Sequence, residues 1–231
     1  MSPTPAPCEP EDDDNAEGFG TFLLGAGYFD FSSLNDRLAA NGYERIRGPL
    51  TVIGGEGHAV LRSGFVVGGR GAAILGPSGD GPGSLRTHFG GGFGLLDLGF
   101  ALVHTRAVLF TVTGGIGGYG LGLDIGDDSS ASFDAVLKSP KRSVSMSHGG
   151  VLTAVTIGLD GRVPLGKAEK GREGFFTMGL RIGGLYGPTV GEWSLPQGAD
   201  ATGGPDAALA GVYAALSIGF GGAPAELGAG R

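Results

Sequence analysis

VLTAVTIGLDGRV, residues 151–163, is the stretch that decides the fold, because its side chains alternate in character along the chain. The odd positions up to Leu159 carry Val, Thr, Ile and Leu, whereas the even positions from Ala154 onward are small or polar and end with Asp160 and Arg162. Successive side chains of a β-strand point to opposite faces, so a period of two residues indicates a strand. The stretch therefore predicts a strand over residues 149–163, with one apolar face and one face of small and polar side chains.

The same alternation, or a similar enrichment in apolar and aromatic residues, recurs along the chain. The other predicted strands are residues 19–31, 50–56, 58–75, 92–104, 106–124, 174–186 and 208–220, with 133–137 or 143–147 as additional candidates. Turn-like clusters of Gly, Pro, Asp, Ser and Lys lie at 76–80, 126–129, 167–172 and 196–205. This spacing favours hairpins over strands that alternate with helices. The sequence predicts an all-β fold, an antiparallel up-and-down β-barrel of about 8 to 10 strands.

One short helix is predicted near the start of this barrel. Ser33 is a candidate N-cap, Asp36 completes a pattern similar to a capping box, and Gly42 provides the stop. Leu34 and Leu38 fall on one face of such a helix. We expect the helix to pack on the rim or inside the mouth of the β-structure.

Composition restricts the class of protein. Glycine supplies 50 of 231 residues without a collagen-like period, and glycine disfavours helices, which supports a β protein. The net charge of −7 and only 16 Lys and Arg make nucleic acid an unsuitable partner. The single cysteine, Cys8, cannot form a disulfide within the chain or a cysteine-based metal site.

The chain divides by composition into three parts. Residues 1–18 are rich in Pro and Ser, carry an acidic run and lack a basic start with an apolar h-region, so they predict a disordered leader rather than a secretory signal. Residues 19–221 form the predicted barrel domain. Residues 222–231 are predicted to be a flexible tail.

The period alone does not decide which face of the strands lies inside. A soluble barrel buries its apolar face, whereas a membrane barrel turns that face outward to lipid. The second face here is mostly Gly, Ala, Ser and Thr with few Lys or Glu, although a water-facing surface carries roughly a quarter or more charged residues. This comparison favours an apolar outer face and a lumen filled with small residues and a few paired charges.

Isolated polar residues on the second face are therefore candidates for the lumen. The candidate lumen residues are His58, Arg62, Arg70, Asp97, Asp160 and Arg181. Buried charges need partners, so we expect the three arginines to pair with the two aspartates. For any one of these residues, a position near a water-exposed rim is the alternative.

Three strand segments are the most typical of a known class. They are GGGFGLLDLGFALV (90–103), AVLFTVTGGIGGYGLGLDI (107–125) and AGVYAALSIGF (210–220). In this ladder of strands the chain resembles bacterial outer-membrane β-barrel proteins, without a diagnostic motif. The resemblance implies an outer-membrane location and an apolar strand face in contact with lipid. Candidates for interfacial aromatic girdles are Tyr28, Tyr43, Phe89, Tyr119, Tyr186, Trp193 and Phe220.

Motifs that resemble catalytic or cofactor sites lack their structural context. Residues 115–120 match G-x-G-x-x-G, but no helical pattern follows to bind a pyrophosphate. Residues 147–150 contain His-Gly-Gly without a nucleophile elbow elsewhere in the chain. The four histidines are far apart and lack metal-ligand spacing, and the acidic turn at 124–130 lacks the ligands of a calcium loop. We expect no enzyme activity, no cofactor and no metal.

Two hypotheses for function lead from the sequence, and an enzyme that acts in a barrel cavity ranks third. The first is a non-enzymatic integral outer-membrane barrel whose loops, especially 76–88, 126–142 and 187–206, contact an unidentified ligand or partner. The second is a soluble or extracellular barrel, or one that stays in the cytoplasm, whose apolar outer face is buried between copies of itself. The lack of a recognisable signal favours the second, and the character of the second strand face favours the first.

Overall fold

A computed structural model describes residues 16–127, 143–167, 172–196 and 198–224. Most of the predicted leader and tail, and the candidate strand at 133–137, lie outside the described residues. The candidate strand at 143–147 is the beginning of a longer strand rather than a separate one.

Eight long antiparallel strands form a closed ring, which confirms the predicted all-β barrel. Their bounds are β1 (Ala16–Phe29), β2 (Leu50–Leu61), β3 (Phe65–Asp80), β4 (Leu85–His104), β5 (Val108–Asp127), β6 (Val144–Lys167), β7 (Arg172–Gly187) and β10 (Leu209–Pro224). Strands that follow one another in the chain pair side by side, and β1 pairs with β10 to close the ring. One helix, α1 (Ser32–Ala40), follows β1, and the two-residue strands β8 (Trp193–Ser194) and β9 (Asp200–Ala201) lie between β7 and β10 in the part of the chain described.

The two ends of the barrel differ. At one end, here called the short-turn end, the turns at 62–64 and 105–107 join neighbouring strands, and β1 begins beside the end of β10. At the opposite end, here called the helix end, lie α1, the turn at 81–84 and the segment that contains β8 and β9. The longer connections among the described residues are therefore gathered at the helix end.

The apolar face of the strands lies on the outside of the barrel. On β4, Leu96 is 72% exposed and Leu98 is 56% exposed, whereas Asp97 between them is fully buried. On β6, Val155 and Ile157 are exposed while Thr156 is buried. The alternation of the sequence thus produces a barrel with apolar side chains outside and polar side chains among those inside.

The window 58–75, predicted as one strand, is instead a hairpin. β2 ends at Leu61, β3 begins at Phe65, and Gly64 in the turn has a φ of 83°, a conformation that favours glycine. Leu61 and Phe65 are four residues apart, so both keep the same parity and face outward. The alternation runs unbroken across the turn, which is why period alone did not reveal it.

The turn predicted at residues 76–80 belongs to β3. The strand pairs with β4 as far as Asp80, with a register shift between Leu75 and Ser78. Pro77 lies in this shift, where its lack of a backbone N–H removes no regular ladder bond. The actual turn follows at 81–84 and includes Gly83 with a φ of 70°.

The barrel extends past both predicted boundaries. β1 begins at Ala16 and β10 ends at Pro224, so residues 16–18 and 222–224 belong to strands rather than to the leader and the tail. Glu17 is buried and forms an ion pair with Arg162 inside the barrel. Its place next to the acidic run concealed this role in the sequence.

The helix α1 lies in the mouth of the barrel, but its N-cap differs from the prediction. Helix α1 begins at Ser32, its N-cap residue Phe31 forms no side-chain cap bond, and Ser33 lies within its first turn. Asp30 Oδ1 accepts a hydrogen bond from the Ser32 backbone N–H at 3.0 Å, which holds the pKa of Asp30 below its usual range. Gly42 has a φ of 82°, so the predicted stop is confirmed. No helix in the described ranges is long and apolar enough to cross a bilayer.

Two apolar clusters fill much of the interior. The larger lies toward the helix end, where Leu34 and Leu38 of α1 are buried and Phe31 contacts Phe89 edge to face at 4.8 Å between ring centroids. The smaller lies toward the short-turn end and consists of Phe19, Val60, Val66, Leu109 and Phe175. Of the aromatic residues predicted for interfacial girdles, the ones buried in the larger cluster are Phe89, Tyr119 and Trp193.

Glycines occur on both faces of the strands, and the closest packing is found around inner ones. At Gly183, on the inner face of β7, an added Cβ would lie 2.5 Å from the Tyr213 ring and 2.8 Å from the Thr156 hydroxyl oxygen. At the neighbouring Gly184, on the outer face, a Cβ would meet no atom within 4 Å. The inner glycine makes room for side chains that cross the lumen.

We expect Gly183→Ala to lower the free energy of unfolding by about 1–3 kcal/mol, because its Cβ overlaps packed side chains. Gly184→Ala is the matched control and should stay within about 0.5 kcal/mol of the parent chain. Urea unfolding of the folded protein, followed by intrinsic fluorescence, measures both. Equal effects of the two variants would contradict this account of the interior.

Candidate functional site

Five of the six candidate lumen residues lie inside the barrel. His58, Arg70, Asp97, Asp160 and Arg181 are buried, between the two apolar clusters. Together with Glu56, which is also buried, we call them the polar belt.

Arg62 is the exception, and its predicted place in the lumen is wrong. It is exposed in the turn between β2 and β3 at the short-turn end. Arg62 has the same even parity as His58, but β2 already ends at Leu61. Because the turn was taken for strand, this parity was read as an inward-facing position.

Arg70 is the most fully bonded member of the polar belt. Its Nε donates to Asp97 Oδ2 and its Nη2 donates to Asp97 Oδ1, both at 2.8 Å, which makes a bidentate ion pair. Its Nη1 donates to the Thr156 hydroxyl and the Tyr213 hydroxyl, each at 2.6 Å, and Nη2 also donates to the Thr113 hydroxyl at 3.0 Å. A guanidinium has five N–H donors, and all five are used here.

Arg181 forms the second ion-pair group of the polar belt. Its Nε donates to Glu56 Oε1 at 2.7 Å, and its Nη1 lies 2.9 Å from Asp160 Oδ1. The Thr21 hydroxyl also donates to Glu56 Oε1 at 3.1 Å. One guanidinium is thus shared between two buried carboxylates. His58 Nε2 lies 3.2 Å from Asp97 Oδ2 and belongs to the Arg70 group.

A third ion pair lies nearer the short-turn end. Arg162 Nη1 donates to Glu17 Oε2 at 3.0 Å, and His104 Nε2 lies 3.1 Å from the same oxygen. The Arg162 guanidinium also lies 4.9 Å from the centroid of the Phe175 ring, a cation–π distance. The smaller apolar cluster and this ion pair together fill the short-turn end.

Sequence reasoning missed Glu56 and Glu17 as lumen residues and omitted Arg162 from the candidate set. Glu56 lies two residues before His58 and shares its parity, so one continuous strand across 50–61 would have shown it. Arg162 stands on the polar parity of the opening stretch. Only Glu17 gave no signal, since its place in the barrel depends on where β1 begins.

The polar belt closes the lumen. The cavity that Glu56, His58, Arg70 and Arg181 line has a volume of about 10 Å³. A cavity of roughly this size holds about one water molecule. An eight-stranded barrel is only wide enough for its side chains, and here ion pairs occupy that width.

His148 is buried in the larger apolar cluster without a polar partner. Neither ring nitrogen has a hydrogen-bond partner among the described residues. Its ring lies 5.6 Å from the Trp193 ring and 6.1 Å from the Tyr119 ring, centroid to centroid. A buried polar group without a hydrogen bond is costly, so His148 is an unusual member of this cluster.

A larger and apolar cavity lies at the helix end, between α1 and the segment that contains β8 and β9. Its volume is about 200 Å³, and we call it the helix-end cavity. Its lining residues are Leu34, Arg37, Leu38, Asn41, Tyr43, Leu123, Ile125, Met146, Trp193, Ala201, Gly204 and Pro205. Arg37 and Asn41 are the polar side chains of this lining, apart from the Tyr43 hydroxyl.

Hydrogen bonds hold the walls of the helix-end cavity in place. Arg37 Nη2 donates to the Gly203 carbonyl at 3.0 Å and so ties α1 to the opposite wall. Trp193 Nε1 donates to the Pro205 carbonyl at 2.9 Å. The Tyr119 hydroxyl lies 3.0 Å from the carbonyl oxygens of Pro188 and Ala207. The connection between β7 and β10 is therefore fastened over the barrel mouth.

Within the described ranges, no three His, Cys, Asp or Glu side chains gather where they could hold a metal ion.

Comparison with known proteins gives a structural likeness without a sequence match. No protein-family model matches the chain, and no curated protein matches it. Among solved structures, the chain is similar to the crystal structure of the outer membrane protease OmpT from Escherichia coli. The sequence identity is 10%, the TM-score is 0.35, and the match covers 92% of this chain and 97% of that chain.

We expect Asp97→Leu to lower the free energy of unfolding by about 3–5 kcal/mol, because it leaves the Arg70 guanidinium buried without its counter-charge. The double variant Arg70→Met/Asp97→Leu should recover at least half of this loss. Asp36→Ala, which removes an exposed pair with Arg45, is the control and should cost less than about 1 kcal/mol. Urea unfolding measures all three, and a double variant as unstable as the single one would contradict the pairing.

Replacing His148 should not weaken the fold. His148→Phe removes two ring nitrogens that have no hydrogen-bond partner among the residues described, so we expect stability that is unchanged or raised by about 1 kcal/mol. His104→Phe is the control and should lower stability, since His104 bonds Glu17. Thermal unfolding of the two variants makes the comparison, and a large loss in His148→Phe would show that this ring has a partner in solution.

Proposed function

We propose that this chain is an integral outer-membrane β-barrel protein with a closed lumen, that it is not an enzyme, and that its helix end holds the site for its ligand. The observation that carries the proposal is the character of the outer surface. Each barrel strand exposes at least one large apolar side chain, for example Phe22, Leu61, Val67, Leu96, Ile116, Val155, Ile182 and Leu216. Exposed apolar patches on soluble monomers rarely exceed a few hundred Å².

The outer surface also lacks charge where lipid would lie. Between the two ends of the barrel, the outward-facing positions that the structure describes carry no Asp, Glu, Lys or Arg. Among the side chains that the structure describes, the outward-facing charges of the barrel strands are Asp80, Arg86 and Asp124, all at the helix end. Charged side chains on a lipid-facing surface are strongly destabilising at the bilayer midplane and tolerated near its edges. This distribution matches a band of hydrocarbon around the middle of the barrel.

The dimensions of the apolar band agree with a bilayer. On β7, the outward-facing residues from Phe176 to Tyr186 cover ten residue steps. At about 3.3 Å per residue and a strand tilt of about 40°, this corresponds to roughly 25 Å, the height of the apolar band of outer-membrane barrels.

Outward-facing aromatic residues mark both edges of the band. Tyr28 and Tyr186 lie near the helix end, and each is more than half exposed. Near the short-turn end lie two edge-to-face pairs with centroids 5.6 and 5.5 Å apart, Phe65 with Phe100 and Phe176 with Phe220. Aromatic side chains are enriched where hydrocarbon meets the headgroups.

The connectivity supports the same assignment. Outer-membrane barrels have an even number of antiparallel strands, short turns at the periplasmic end and longer loops at the other end. Here the short turns and the start of β1 share one end, and α1 with the β8–β9 segment occupies the other. In this orientation the helix end is the outward, ligand-facing end of the protein.

The interior supports a role without catalysis. A general acid or base must reach its substrate, but the carboxylates and guanidinium groups of the polar belt bond one another around a cavity of about 10 Å³. No substrate larger than water fits there. The helix-end cavity is lined almost wholly by apolar groups, which suit binding.

Extraction behaviour tests the membrane assignment. The full chain, refolded or expressed in bacteria, should remain in the membrane fraction after alkaline washing and come into solution only with detergent. A detergent-free, monodisperse monomer would overturn the proposal. A detergent-free oligomer or polymer would favour the alternative, in which copies of the chain cover the apolar face.

A charge placed on the band gives a sharper test. Leu216→Lys adds a charge to an outward-facing residue of β10 far from both ends, so we expect a loss of roughly 2–4 kcal/mol for the protein folded in lipid. Ser63→Lys, in the turn at the short-turn end, is the matched control and should have little effect. Urea unfolding from lipid vesicles measures both, and tolerance of Leu216→Lys would contradict burial of this face in lipid.

A further inference from the structure

We propose that the helix-end cavity binds a single-chain carboxylate amphiphile, with a hydrocarbon tail of about eight carbons inside the cavity and its carboxylate at Arg37. This inference deepens the proposed function, because it rests on the helix end as the ligand-binding end and names the chemistry of the ligand. The class of ligand follows from the volume, the lining and the rim of the cavity.

The volume sets the size of the tail. An apolar protein cavity of about 150 Å³ stays dry and binds benzene, which has six carbon atoms. By proportion, the helix-end cavity of about 200 Å³ accommodates about eight carbons. A membrane lipid with two long acyl chains is too large to fit whole, so the ligand we propose has a single short chain.

The lining sets the character of the tail. Leu34 and Leu38 of α1, with Leu123 of β5, are buried and present only hydrocarbon to the cavity. The Trp193 ring forms part of the opposite wall, and its indole N–H is already bonded to the Pro205 carbonyl at 2.9 Å. These walls therefore offer a tail no hydrogen bond and favour an apolar chain over a polar one.

The rim sets the character of the head. Arg37 lies in the last turn of α1, and its bond to the Gly203 carbonyl holds the guanidinium at the cavity edge. Its neighbour Asp36 is paired with Arg45 at 3.1 Å and does not neutralise it. A guanidinium matches the geometry of a carboxylate and forms charge-assisted hydrogen bonds with it. An amphiphile with its tail in the cavity places a carboxylate within reach of this group.

The chain provides its own probe for this binding. Trp193 is the only tryptophan of the chain, and it lines the cavity. A bromine atom quenches indole fluorescence on contact, so 8-bromooctanoate is the ligand to titrate into the full chain folded in dodecyl maltoside. We expect saturable quenching of at least half of the fluorescence, reversed by unbrominated octanoate. Absence of saturable quenching would overturn the proposal.

Filling the cavity is the first test of location. Ala201→Leu places extra hydrocarbon in the cavity and should weaken bromooctanoate binding at least tenfold. Ala199→Leu, at an exposed position of the same segment outside the lining, should bind as the parent does. Equal affinities of the two variants, each with the parent's circular dichroism spectrum, would place the ligand elsewhere and overturn the proposal. If Ala201→Leu does not fold, the competition by octanoate and the Arg37 variant decide the matter.

The head group is tested separately, because the acidic residues Asp200 and Asp206 also lie in the segment beside the rim, and their charge opposes that of a carboxylate. Arg37→Gln should weaken binding of bromooctanoate at least tenfold more than it weakens binding of 8-bromooctanol, and Arg47→Gln should alter neither. Equal binding of acid and alcohol by the parent chain would overturn the carboxylate assignment. These titrations measure ligand binding at the helix-end cavity, whereas detergent dependence tests whether the apolar band of the barrel faces lipid. A chain that proves soluble is titrated in buffer, so each proposal fails by its own measurement.

Discussion

The interior of this barrel depends on the buried ion pair between Arg70 and Asp97. Turning the apolar strand faces outward leaves the small and polar faces to fill the lumen, and charges buried there are costly unless each finds a partner. Arg70 meets that requirement with all five of its N–H donors, and Arg181 does so by bridging Glu56 and Asp160. Arg70 of β3 also bonds Thr156 of β6 and Tyr213 of β10, and Arg181 of β7 bonds Glu56 of β2, so these bonds tie strands together across the lumen.

The strand period and the barrel class follow from local alternation and the spacing of turns, and the apolar outer face was favoured by the small, weakly charged character of the second strand face. The sequence did not reveal the turn at 62–64, because Leu61 and Phe65 keep one parity across it. That error put Arg62 into the candidate set, and the break placed at residue 57 left Glu56 out of it. Partners across the lumen, such as Tyr213 for Arg70, depend on ring closure and register, which no local pattern encodes.

The helix-end cavity could not be predicted for a related reason. Its walls come from α1, from β5 and β6, and from the β8–β9 segment, which are far apart in sequence. The sequence placed Leu34 and Leu38 on one face of a helix in the barrel mouth, and this proved correct. What it lacked was the opposite wall, because Trp193 was assigned to an outer girdle although its ring faces inward.

The pairing of β1 with β10 has a consequence for how the chain could be cut and rejoined. Gly18 lies opposite Gly222 in this pair, so the two ends of the described barrel are neighbours in the ring. A short linker between them would leave every strand partner in place, and the turn at 105–107 could then be opened instead. The barrel is a closed ring of antiparallel strands, and the break in its chain could lie at another turn. The register of the ring, rather than the starting point of the chain, specifies its shape.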